Sequence, residues 1–98
     1  MKVLFHPKAR EELLESAKYY EKCQKGLGKE FIREIHLAIE RIKAYPAAWS
    51  KFSKNTRRCL VNRFPYGIIY QYSESRIYIL AVMHLNRRPE YWTERIKR

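Results

Sequence analysis

The stretch from Arg57 to Pro89, RRCLVNRFPYGIIYQYSESRIYILAVMHLNRRP, constrains this chain more than any other. It holds three short runs rich in β-branched, aromatic and aliphatic residues, each bounded by polar residues or by Pro and Gly. Such runs predict consecutive strands over residues 58–61, 67–72 and 76–83. Ser73-Glu74-Ser75 is short enough for a hairpin turn, so the last two strands should pair antiparallel. The last run is apolar at nearly every position, which predicts a central strand covered on both faces. Arginines border the meander, with Arg57, Arg58 and Arg63 at one end and Arg87 and Arg88 at the other. A sheet so bordered predicts a platform that holds cationic groups in fixed positions.

The preceding residues supply a cover for that sheet. Lys2-Val3-Leu4-Phe5 is too short for a useful helix and predicts a first strand, ended by Pro7. A proline suits the first turn of the next helix, and Glu11, Glu12 and Glu15 are placed to meet its positive end. That helix is predicted over 8–24, with Ala9, Leu13, Ala17 and Tyr20 as its apolar stripe. Gly26-Leu27-Gly28 reverses the chain. A second helix over 29–45 carries the stripe Phe31, Ile35, Ala38 and Ile42, and Pro46 ends it. Two amphipathic helices so closely joined make an antiparallel hairpin whose shared face the sheet buries.

Residues 47–56 read as a loop in which Lys51 and Lys54 add to the basic side, and Trp49 either closes the core or sits at an interface. Residues 90–98 predict one or two helical turns over the sheet. The fold class expected is α+β: an N-terminal strand, a helical hairpin on a twisted, largely antiparallel sheet of about four strands, and a short C-terminal helix. Ninety-eight residues predict a single domain, 1–98.

Charge narrows the partners. The net charge is +11, and the chain has no Asp. Residues 1–49 hold 10 Lys+Arg against 7 Glu, whereas residues 50–98 hold 11 against 3, so the excess rises from +3 to +8. From Arg41 to Ser73 there is no acid at all. That segregation goes beyond what solubility requires and points to a polyanion: nucleic acid, or an acidic protein segment. Cys23 and Cys59 form no CxxC or Cys/His cluster, and His6, His36 and His84 are scattered, so neither metal nor cofactor is expected. With no signal peptide and no long apolar run, the expected location is the cytosol, without membrane association. There, two buried free thiols are the ordinary state and a disulfide the alternative.

The order of elements, together with particular residues, resembles the RelE/ParE family of bacterial toxins, and within it the ParE-like, plasmid-stabilisation branch. The resemblance rests on Gly26-Leu27-Gly28-x-x-Phe31, on the spacing Ile35…Ala38-Ile39…Ile42…Pro46, and on Arg58…Val61…Phe64-Pro65-Tyr66-Gly67-Ile68-Ile69-Tyr70. It continues through Ile79-Leu80-Ala81-Val82-x-His84-x-x-Arg87-Arg88-Pro89-x-x-Trp92. It implies a toxin encoded beside a cognate antitoxin, usually acidic, and so a toxin–antitoxin hetero-oligomer. It also implies one of two activities. ParE-like members poison DNA gyrase; RelE-like members cleave messenger RNA on the ribosome.

Cleavage of that kind needs an activated 2′-hydroxyl, a stabilised phosphate and a protonated leaving oxygen. RelE-like nucleases frequently place an Arg on the second meander strand, in a pattern like Tyr-Arg-x-x-Tyr. Here the comparable position is Gly67, in Tyr66-Gly67-Ile68-Ile69-Tyr70, which has no side chain to offer. The C-terminal Tyr of such nucleases has only a loose counterpart in Tyr91. Arg58, Arg63, His84 and Arg87 remain as a minimal nuclease set. His84 is either a general acid or a strand-end hydrogen-bonding group. Arg57, Arg58, Arg63, Arg87, Arg88, Tyr91 and Trp92 are the expected contacts to target or antitoxin. The leading expectation is gyrase inhibition without chemistry by this chain. The alternatives are a ribosome-dependent endoribonuclease and a non-toxic member that only binds antitoxin or nucleic acid.

Overall fold

The structure, a computed structural model, describes residues 1–96. In chain order the elements are β1 (Lys2–Phe5), α1 (Pro7–Cys23), α2 (Leu27–Ala44), β2 (Ser50–Ser53), β3 (Thr56–Leu60), β4 (Tyr66–Tyr72), β5 (Arg76–His84) and a 3-10 turn (Thr93–Arg95). Local chemistry explains the boundaries. His6 caps α1, its Nδ1 accepting the Lys8 N–H at 3.0 Å, and Pro7 takes the first helical position, where its missing N–H costs nothing. Because α1 begins at Pro7, its first turn holds no acid, and Glu11, Glu12 and Glu15 lie further along than expected. Gly26 adopts a φ of 88°, a left-handed conformation that disfavours a Cβ. Glu21 then accepts the N–H groups of Gly26 and Gly28 at 2.9 and 3.0 Å, which fixes the reversal into α2.

The sheet has five strands in the order β1-β5-β4-β3-β2, one more than expected. β1 runs parallel to β5, and the other pairs are antiparallel. The additional strand is β2, in the stretch expected to be a loop. It is held by its ladder to β3 and by Phe52, whose ring centre lies 5.9 Å from that of Trp92.

β5 is central and covered on both faces, as its composition predicts. The register against β4 slips between Ile69 and Tyr70, so Leu80 is an extra residue. This bulge reverses the facing pattern partway along the strand. Ile77, Ile79 and Val82 join the core beneath the helices, with Phe31, Ile35, Ile42, Ile68 and Tyr70. Leu80, Ala81 and Met83 join Ile69 and Trp92 in a second core on the outer face.

The segment after Pro89 forms a single 3-10 turn, within the one or two helical turns expected, and Lys97 and Arg98 lie outside the described residues. Other expectations are decided or corrected by the structure. Trp49 packs partly buried against the helix-side core. Cys59 is buried, but Cys23 is exposed, and both are free thiols. Among the described residues no helix is long and apolar enough to cross a membrane.

Candidate functional site

The outer sheet face is the natural place for a site, because the helices occupy the other. Its floor is Gly67 with Ile69, Met83 and, along β3, Arg58. Gly67 has no side chain, so the stem of Arg58 lies across it; a Cβ built there would meet Arg58 Cγ and Cδ at 3.1 Å. The Arg58 guanidinium sits 4.7 Å from the centre of the Phe52 ring. Trp92 then roofs the face. Its ring is 2% exposed and packs on the outer core, so this residue, expected as a contact to a partner, is a core residue.

One carboxylate holds the roof in place. Beyond Phe5 the chain leaves the sheet to form α1, so β5 after Ile79 has no β1 neighbour. Glu12 Oε1 accepts the Val82 N–H at 2.9 Å, and Arg95 Nη1 donates to the Leu80 carbonyl at 2.9 Å. Arg95 Nη2 closes the link by donating to Glu12 Oε2 at 2.8 Å. An Arg–Glu pair thus takes up the backbone groups that a neighbouring strand would have taken. The side chains of Glu12 and Arg95 are 14% and 10% exposed, so the pair is largely desolvated. Tyr91 lies in the same cluster, and its phenol pKa is raised by burial first and then by the Glu12 charge.

The expected site residues do not converge. Arg57 donates to the Trp49 carbonyl at 2.7 Å, its guanidinium 5.9 Å from the Tyr72 ring centre. Arg63, in a left-handed backbone conformation with φ of 73°, pairs with Glu30 and Glu34 on α2. Arg87 lies 3.6 Å above the Tyr91 ring centre and 3.6 Å from Glu12. Arg88 projects into solvent, 82% exposed and 3.7 Å from Glu90. His84 Nδ1 accepts the Asn86 N–H at 3.0 Å, and the ring packs edge-on to Tyr66 at 5.1 Å. His84 and Arg87 line one small cavity of about 140 Å³ with Glu12 and Glu15 on the helix side of the sheet. Arg58, in contrast, faces the outer side, and Arg63 is fixed to α2. The minimal nuclease set is therefore divided between different surfaces.

Glu12 and Arg95 went unrecognised in the sequence because only the fold brings them together. Among the described residues no group of three or more His, Cys, Asp or Glu is placed to hold a metal ion.

The fold has a solved counterpart. A chain described as "Chromosomal ParDE TA system from P. aeruginosa" superposes with a TM-score of 0.64 at 15% identity, covering 88% of this chain and 97% of that one. At that identity the likeness is one of fold alone. A family model described as "ParE toxin of type II toxin-antitoxin system, parDE" matches residues 3–89. The chain belongs to the ParE toxin family. No curated protein matches it in sequence.

Proposed function

We propose that this toxin inhibits DNA gyrase by stoichiometric binding, without chemistry of its own, and that a cognate acidic antitoxin neutralises it in the cytoplasm. The observation that carries this reading is the outer sheet face. At the position where RelE-like nucleases are expected to present an arginine stands Gly67, covered by the stem of Arg58. Trp92 closes the face beside it, and Arg63, Arg87 and His84 point elsewhere. A phosphoryl-transfer site needs several charge-stabilising and proton-transferring groups directed at one point. A binding surface does not. Arg58, Arg88 and the C-terminal segment around Tyr91 form the contact to gyrase in this account. Ribosome-dependent cleavage keeps one observation in its favour, the cavity shared by His84, Arg87 and two glutamates.

Tightly controlled expression in growing bacteria, with DNA synthesis and individual transcripts followed separately, tests the reading. Stalled DNA synthesis, filamentation and a damage response are the expected result, with transcripts intact. Early loss of specific transcripts while DNA synthesis continues would overturn it in favour of the nuclease. Normal growth with intact, folded protein would mean a member that binds without poisoning. The antitoxin association should form more slowly as salt rises, since a +11 chain steers an acidic partner electrostatically.

A further inference from the structure

The positive charge of this chain is compensated at one end of the sheet and not at the other. At the end formed by the β3–β4 turn and the residues after β5, arginines face carboxylates. Arg63 meets Glu30 and Glu34, Arg87 and Arg95 share Glu12, and Arg88 meets Glu90. The opposite end, at the β2–β3 and β4–β5 turns, carries Lys51, Lys54, Arg57 and Arg76. Among the described residues none of these four has a carboxylate within ion-pair distance. Arg57 is held by the Trp49 carbonyl, which fixes the guanidinium without neutralising it.

The strand register places like charges together. Lys51 lies opposite Arg57 in the β2–β3 pair, and Lys2 lies beside Arg76 in the β1–β5 pair. Opposed like charges destabilise a ladder. A bound anion removes that cost. Two adjoining hollows of about 400 and 240 Å³ lie over this end, with Asn55, Gln71 and Tyr72 in the wall of both. Arg76 and Tyr78 line one; Lys51, Lys54 and Arg57 line the other. Tyr72 is 41% exposed.

We propose that this end of the sheet binds single-stranded nucleic acid, the cations taking phosphodiester oxygens and Tyr72 offering its ring to an unpaired base. Lysine and arginine along a groove with an exposed aromatic ring and side-chain amides is the arrangement that binds single strands with little sequence preference. An acidic polypeptide would satisfy the charges too. It would also bury a mostly apolar patch at the centre of its interface, and among the described residues the only apolar residues lining either hollow are tyrosines, with no aliphatic residue in the lining. Exposed aliphatic residues stand elsewhere: Leu14, Ile32 and Leu37 on the helical hairpin, and Leu60 and Leu85 at the other end of the sheet. The site involves neither the outer-face floor nor the roof, so it stands or falls independently of gyrase inhibition.

Fluorescence anisotropy on the full chain tests the site. The probes are labelled single-stranded DNA of about 15 nucleotides, RNA of the same length and sequence, the corresponding DNA duplex, and labelled polyglutamate, each across a salt series. The DNA and RNA arms distinguish the two sources of a single strand. The triple variant Lys51→Ala/Lys54→Ala/Arg76→Ala should bind single strands at least tenfold more weakly. Its salt dependence should be shallower by about 2, at ~0.7 for each phosphate no longer neutralised. The matched variant Lys18→Ala/Lys22→Ala/Lys25→Ala, on α1 and the turn after it, should keep wild-type binding. Tyr72→Ala should weaken single-strand binding severalfold and leave the duplex unchanged. Should the triple variant fail to fold by circular dichroism, Lys54→Ala alone should lower the slope by ~0.7. Wild-type affinity and slope in the variants at this end would overturn the proposal. So would equal losses in the α1 variant, which would make binding a diffuse effect of net charge. Loss of labelled polyglutamate binding alone would overturn it too, and would assign the site to an acidic protein.

Discussion

Glu12 shows how one side chain can decide the shape of a face. Its two oxygens serve the β5 backbone and the Arg95 guanidinium, and Arg87 lies within 3.6 Å. Removing it strands Arg95, whose side chain is 10% exposed, as an uncompensated cation. Breaking one partner of such a pair costs about 3–5 kcal/mol. Glu12→Ala should therefore unfold at much lower urea than the wild type, while Glu12→Gln, which can still accept from Val82, should lose less. Equal midpoints for Glu12→Ala and the wild type would show that the pair contributes nothing to stability. In the sequence Glu12 reads only as an acid near a helix start. Its partner stands 83 residues away, and no local pattern joins them. The same reason hid the pairing of Arg63 and Arg87, which in sequence look like free cations.

The helical reversal concentrates its constraints at two glycines and one glutamate. A Cβ at Gly28 would come 2.6 Å from the Ala17 carbonyl, a rigid backbone atom, so Gly28→Ala should force α1 and α2 apart. Overpacking of this kind costs about 1–3 kcal/mol, readable as a lowered thermal midpoint; an unchanged midpoint would contradict the close crossing. Glu21 adds a pH signature. The N–H groups of Gly26 and then Gly28 lower its carboxyl pKa below the ordinary value in the folded state. Its contribution is thus present above the unfolded pKa and lost as pH falls through the folded one. Glu21→Gln should melt below the wild type at neutral pH, and the two should converge in acid. A gap that persists in acid would assign the effect to packing. Both helices, β1 and the last three strands were legible as elements because each has strong periodicity or an apolar run with clear punctuation. β2 was not: Ser50–Ser53 has one apolar residue, Phe52, and that ring finds its place against Trp92, far along the chain. The C-terminal segment forms one helical turn, at the short end of the one or two expected, and it positions the buried Trp92 and the largely covered Arg95 side chain.

At the scale of the molecule, the fold separates two kinds of positive charge. One set is spent on glutamates that fasten α2 and the C-terminal segment to the sheet. The other, at the opposite sheet end, has no carboxylate partner among the described residues. Net charge alone could predict an anionic partner, but not which end meets it. The absence of a nuclease arginine was legible at Gly67. What was not legible was the closure of the face around it, which depends on Trp92, Phe52 and the Glu12–Arg95 link acting together. A roofed sheet with dispersed cations suits a protein that acts by occupying another's surface.

That account is tested most directly by titrating the purified chain into a DNA supercoiling reaction with purified gyrase, and following added RNA on translating ribosomes in parallel. Inhibition that grows with toxin and saturates near stoichiometric ratios, with the RNA intact, is the predicted result. Undiminished supercoiling at large excess of folded toxin, accompanied by codon-dependent RNA cleavage, would contradict it.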